Sequence, residues 1–129
     1  MALQIDIENL ENSAFISAYD SSYVVINNKK FKNLIIFNDN RVVEINKKIE
    51  VYDNEVLLLI KEELKKKKYS IDLVLLGTGK KFIKLPLALE EFFLENKIKH
   101  EVMASIPAYN TFNILVTEGR NFLAILELV

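Results

Sequence analysis

The chain has 129 residues, half of them apolar, with 17 basic and 18 acidic side chains for a net charge of −1. That is one domain of ordinary size with enough apolar residues for a core, and it carries no basic excess of the kind a nucleic-acid footprint needs. No cysteine is present and only one histidine, which excludes disulfides, thiolate metal sites, cysteine nucleophiles and multi-histidine metal centres. The start MALQIDIENL lacks the basic opening and long apolar stretch of a secretory signal. No apolar run approaches the roughly 20 residues that span a bilayer. The expected compartment is the cytoplasm, with no metal and no cofactor.

In chain order, residues 1–12 read as a loose edge or extension. Residues 14–18 and 23–26 are short strand candidates, joined by turn formers at Asp20, Ser21 and Ser22. Asn27-Asn28 marks a turn that tolerates positive φ. Residues 34–37 and 42–45 are two more strands around a turn at 38–40, so the first third reads as a meander of strands. The period then changes. Asp53 or Asn54 caps a helix over about 55–67, whose basic end at 65–68 complements the helix dipole rather than marking an anionic partner.

Residues 71–76, IDLVLL, form a strand that ends in Gly77-Thr78-Gly79. A helix over about 87–96 follows Pro86, with Ala88, Leu89, Phe92 and Phe93 on its core face. Leu87 and Leu94 fall outside that face, most simply as incidental surface leucines, with a small partner-contact stripe as the alternative. Residues 100–103 are a strand. Ser105 is placed to N-cap a third helix with Pro107 in its first turn, and Gly119 to end it in a left-handed conformation. Ala108, Tyr109, Phe112, Leu115 and Val116 share the core face of that helix, opposite a polar stripe of Asn110, Asn113 and Thr117. Residues 122–126 are almost wholly apolar, as in a strand buried on both faces.

The expected fold is α/β. The residues themselves disclose no reaction. The Gly77-Thr78-Gly79 loop follows a strand as phosphate loops do, yet it is too short for a P-loop and no helix starts directly after it. Its simplest reading is a close-packed glycine turn, with an anion nest as the alternative. His100 has no nucleophile to serve. The tyrosines are scattered rather than arranged as a stacking platform. Excess lysine, asparagine and isoleucine look like base-composition bias, so isolated lysines and asparagines carry little weight.

LVLLGTG at 73–79, EVM at 101–103 and TFNILVTEGR at 111–120, together with ISAYDSSYVVINNKKFKNLIIF upstream, resemble a small family of domains of unknown biochemical function. One mitochondrial relative in that family is an assembly factor for respiratory complex I. Against the family pattern this chain keeps Gly77, Thr78, Gly79, Glu101, Met103, Thr111, Asn113, Glu118 and Arg120. It carries Ser105 for Thr, Pro107 for Ala, Asn110 for Arg and Phe112 for Tyr. Asn110 removes a fixed positive charge.

The resemblance implies a three-layer α/β fold: a central mixed sheet, helices on both sides and an added N-terminal β-hairpin. It also implies a protein-interaction or assembly role without catalysis, with a protein partner and no nucleic acid. A homodimer is a further possibility. Two expectations about the site follow. Gly77, Thr78, Gly79, Thr111, Asn113, Glu118 and Arg120 gather as one ligand or partner site, the competing function being a small-anion binder or enzyme. Asn113 and Arg120 act as latches on the 77–79 loop or Glu118.

Overall fold

The computed structural model describes residues 4–10, 14–66 and 71–129. Its elements are β1 (Ile5–Asn9), β2 (Ile16–Asp20), β3 (Tyr23–Ile26), β4 (Lys29–Phe31), β5 (Ile35–Asn38), β6 (Arg41–Ile45), α1 (Asn54–Lys65), β7 (Leu73–Gly77), α2 (Leu87–Glu95), β8 (His100–Met103), α3 (Ser105–Thr117) and β9 (Phe122–Leu126). Six strands form a mixed sheet in the order β1-β6-β5-β9-β7-β8, and β2-β3-β4 form a separate sheet. The expected α/β class and mixed sheet are therefore present.

Alternation along the central strands divides the core in two. Phe122, Ala124 and Leu126 of β9, with Leu73 and Leu75 of β7, face a cluster built with α3 and the small sheet. Leu123 and Ile125, with Val74 and Leu76, face the opposite cluster, built with α1 and α2. All five β9 residues are buried, as a strand covered on both sides requires. β9 runs parallel to β7 and antiparallel to β5, so it joins the two halves of the sheet.

Several local readings hold. Asn27, Asn28, Asp39 and Asn40 all have positive φ at the two hairpin turns. Asp53 caps α1 by accepting from the Glu55 amide at 3.0 Å. Gly119, at φ +68°, ends α3 in a Schellman arrangement: its own N–H donates to the Val116 carbonyl and that of Arg120 to the Leu115 carbonyl.

Other readings change. Of the two readings for residues 1–12, the edge holds and the extension does not: residues 5–9 form an edge strand paired antiparallel with β6. The first third is not one continuous meander, because β2-β3-β4 leave the main sheet. Ala88 lies exposed while Leu89 and Phe93 fill the core face of α2. In the basic end of α1, Lys66 Nζ sits 2.8 Å from the carboxylate of buried Glu63, which Arg41 also engages. Lys67 and Lys68 lie outside the described residues.

Candidate functional site

The C-terminal ends of β7 and β9 and the start of α3 meet at Gly77-Thr78-Gly79. Gly77 has no room for a side chain: a Cβ there would lie 3.1 Å from Ser105 Oγ and 3.2 Å from both Ala108 Cβ and Leu126 Cδ2. Its carbonyl accepts from the Glu127 amide at 3.1 Å. The Thr78 amide donates to the Met103 carbonyl. The Thr78 hydroxyl donates to the Lys81 carbonyl at 2.6 Å and accepts from the Ile83 amide at 3.1 Å.

Gly79 closes the joint. Its amide donates to Ser105 Oγ at 2.8 Å, and its carbonyl accepts from the Ser105 amide at 2.8 Å. Ser105 is fully buried. Ala104 takes the N-cap position, and Ser105 is the first helical residue, its hydroxyl accepting from the glycine loop and also meeting the Tyr109 hydroxyl on α3. The expected N-cap role is corrected in that sense: the competing donor at Gly79 wins the hydroxyl. Both amides in which an anion nest would have to begin, those of Thr78 and Gly79, are thus occupied from within.

Beside this joint stands Glu127. Its Oε2 accepts from the Val51 amide at 3.1 Å, and its carbonyl accepts from the Tyr109 hydroxyl at 3.1 Å. Burial pushes the Glu127 carboxyl above the ordinary carboxylate range; the Val51 N–H partly offsets this, and the negative charge of Glu50 adds to it. The Tyr52 hydroxyl donates to the Ile83 carbonyl at 2.8 Å, and burial, with the charge of Glu127, pushes its pKa up to about 12. Burial also raises that of Tyr109. Both phenols therefore stay neutral and serve as donors to backbone carbonyls. A cavity of about 410 Å³ opens at this end, lined among others by Ser21, Lys32, Lys47, Lys48 and Glu127.

The seven expected site residues do not gather there. α3 begins at the glycine loop and runs for 13 residues, about 20 Å, before Glu118 and Arg120 appear. Glu118 is the C-cap of α3. Arg120 reaches Asp72 instead of Glu118 or the glycine loop, with Nε 3.5 Å from Asp72 Oδ2 in an exposed pair. A cavity of about 170 Å³ lies at that far end, lined among others by Asn38, Asp39, Asn40, Arg120 and Asn121.

Thr111 and Asn113 sit midway. The Thr111 hydroxyl lies 3.4 Å from the Met103 sulfur and ties α3 to β8. Asn113 grips the backbone of Ile16 with both ends of its amide, accepting at 2.8 Å and donating at 2.9 Å. It is a latch, as expected, but on β2; the loop at 77–79 is already satisfied by Ser105. His100 stacks on Phe93, with ring centroids 4.9 Å apart.

Sequence reading missed Glu127, Tyr52 and the tertiary role of Ser105. Glu127 carried a signal, being the one charged residue in FLAILELV at the end of a doubly buried strand.

Solved structures with this fold include a Bartonella henselae protein described as an outer membrane protein, 26% identical, TM-score 0.78, covering 94% of this chain and 99% of its own. A Rhodopseudomonas palustris protein is 24% identical, TM-score 0.75, covering 94% of this chain and 87% of its own. A Bordetella pertussis protein, described as an Mth938-like domain, is 21% identical, TM-score 0.73, covering 99% of this chain and 92% of its own. No curated protein matches the chain significantly. The family described as "Protein of unknown function (DUF498/DUF598)" matches residues 16–127, nearly the whole length over which the glycine joint, the Asn113 latch and the central sheet are built, and the chain belongs to that family.

Proposed function

We propose that this protein is a non-enzymatic interaction module of the cytoplasm that supports assembly of a larger complex through a protein partner. One contrast carries the reading. The polar groups of the glycine joint are consumed inside the molecule, whereas Leu87 and Leu94 stand 69% and 66% exposed on α2. Seven residues apart, they fall on one side of the helix, as a contact stripe does. The resemblance to a family with a respiratory complex I assembly factor among its members supports the same reading.

The test is affinity capture under native conditions, followed by the same capture with Leu87→Asp and Leu94→Asp. A stoichiometric protein partner lost in both variants, at unchanged unfolding temperature, is the expected result. A protein that stays alone at all practical concentrations overturns the proposal. The competing function, a small-anion binder at the 77–79 loop, predicts instead a thermal shift with one anion class.

A further inference from the structure

Downstream of the glycine joint, residues 80–84 read Lys-Lys-Phe-Ile-Lys, and all five are exposed. Phe82 is 61% and Ile83 49% open to solvent. None of the three lysines forms an ion pair among the described residues, and no acidic residue occurs between Lys80 and Glu90. In a chain of net charge −1 this is a local cationic segment with two large apolar side chains among its cations. Lysine is abundant throughout the sequence, and Lys29-Lys30-Phe31-Lys32 also lies in a stretch without acids; what sets residues 80–84 apart is the exposure of Phe82 and Ile83, where Phe31 is buried and Lys29 is paired with Glu8.

The segment is also held in shape from beneath. The Thr78 hydroxyl satisfies the Lys81 carbonyl and the Ile83 amide, Tyr52 satisfies the Ile83 carbonyl, and Leu85 is buried in the core. These three backbone groups need no water, which lowers the cost of bringing Ile83 into a less polar medium. The cavities near Glu127 and near Arg120 are not lined by residues 80–84. Projecting apolar side chains flanked by cations match the boundary between anionic headgroups and acyl chains.

We propose that residues 80–84 form a docking element for anionic lipid surfaces, with Phe82 and Ile83 entering the interface and Lys80, Lys81 and Lys84 meeting the headgroups. The element rests on residues 80–84 alone and so does not depend on the protein-partner reading, although Leu87 of the partner stripe follows closely in the chain.

The experiment is co-sedimentation of the full chain with vesicles of phosphatidylcholine containing phosphatidylglycerol, against vesicles of phosphatidylcholine alone. Binding to the anionic vesicles only, weakening as salt is raised, is expected. The double variant Phe82→Ser, Ile83→Ser weakens it roughly tenfold or more, as does the triple variant Lys80→Gln, Lys81→Gln, Lys84→Gln. All these side chains are exposed, so unfolding temperatures stay unchanged and report any folding defect. Leu94→Asp leaves vesicle binding intact. No binding to anionic vesicles overturns the proposal, as does binding that survives the Phe82 and Ile83 replacements. A wild-type chain that ignores vesicles, while the double variant loses a captured protein partner, reassigns the segment to protein docking and equally overturns it.

Discussion

Asn113 and Ile16, 97 positions apart, are joined by two hydrogen bonds that make one amide side chain act as a strand partner: Oδ1 accepts from the Ile16 amide, and Nδ2 donates to its carbonyl. Asparagine is a poor mid-helix residue, and its presence in α3 is explained by this clamp on β2. Asn113→Ala leaves two partly buried backbone groups without partners and is expected to cost about 1–3 kcal/mol. A denaturant titration reads this as a lower midpoint. Hydrogen exchange should also accelerate at the Ile16 amide before the central strands respond.

The three glycines separate steric from conformational demands. Gly77→Ala forces a methyl against Ser105, Ala108 and Leu126, so overpacking of about 1–3 kcal/mol is expected. Gly119→Ala meets nothing within 4 Å and incurs only the left-handed backbone penalty, about 1 kcal/mol. Gly79→Ala combines φ +90° with a Cβ 3.1 Å from Glu127 Oε1, and should exceed Gly119→Ala. Thermal unfolding of the three variants checks the order.

Glu127 predicts a pH effect of definite sign. Its carboxyl is raised in the folded state, chiefly by burial. The folded protein therefore holds that proton more tightly than the unfolded chain. The contribution to stability is fully present below the unfolded value and is lost as pH rises through the folded one. Glu127→Gln keeps an oxygen for the Val51 amide and removes the buried charge. It should raise the unfolding temperature at neutral pH and do so less in acid; the reverse order would remove the charge argument.

Arg120 is the contrasting case. Its pair with Asp72 is exposed on both sides, and such pairs contribute about 0–1 kcal/mol. Arg120→Ala should leave the unfolding temperature nearly unchanged, well short of the drop for Asn113→Ala. A comparable drop would mean that Arg120 does more than meet Asp72.

What could be read from the chain follows from the range of each interaction. The turns at Asn27-Asn28 and Asp39-Asn40, the Asp53 cap and the Gly119 stop depend on neighbours a few positions away, and each was legible. The alternation of β7 and β9 was hidden because both faces are buried, leaving an apolar run with no period and no hint of strand direction. Strand β4 is three residues long with two lysines and carried no hydrophobic signature, while β1 showed an alternation of Ile5 and Ile7 too short and too polar to separate an edge strand from an extension. The site was harder still. Conserving family motifs on both ends of α3 suggested one cluster, but a helix of that length holds its ends apart, and the partner of Asn113 lies in a different sheet.

The central claim is that Gly77-Thr78-Gly79 is a structural joint whose amides are spent on Met103 and Ser105. Amide resonances followed by NMR during titration with inorganic phosphate test it most directly. The account predicts slow hydrogen exchange at Gly79, accelerated by Ser105→Ala, and no saturable phosphate-dependent shift at Thr78 or Gly79. A saturable shift at those two amides in the wild-type chain would contradict it and make the loop an anion site.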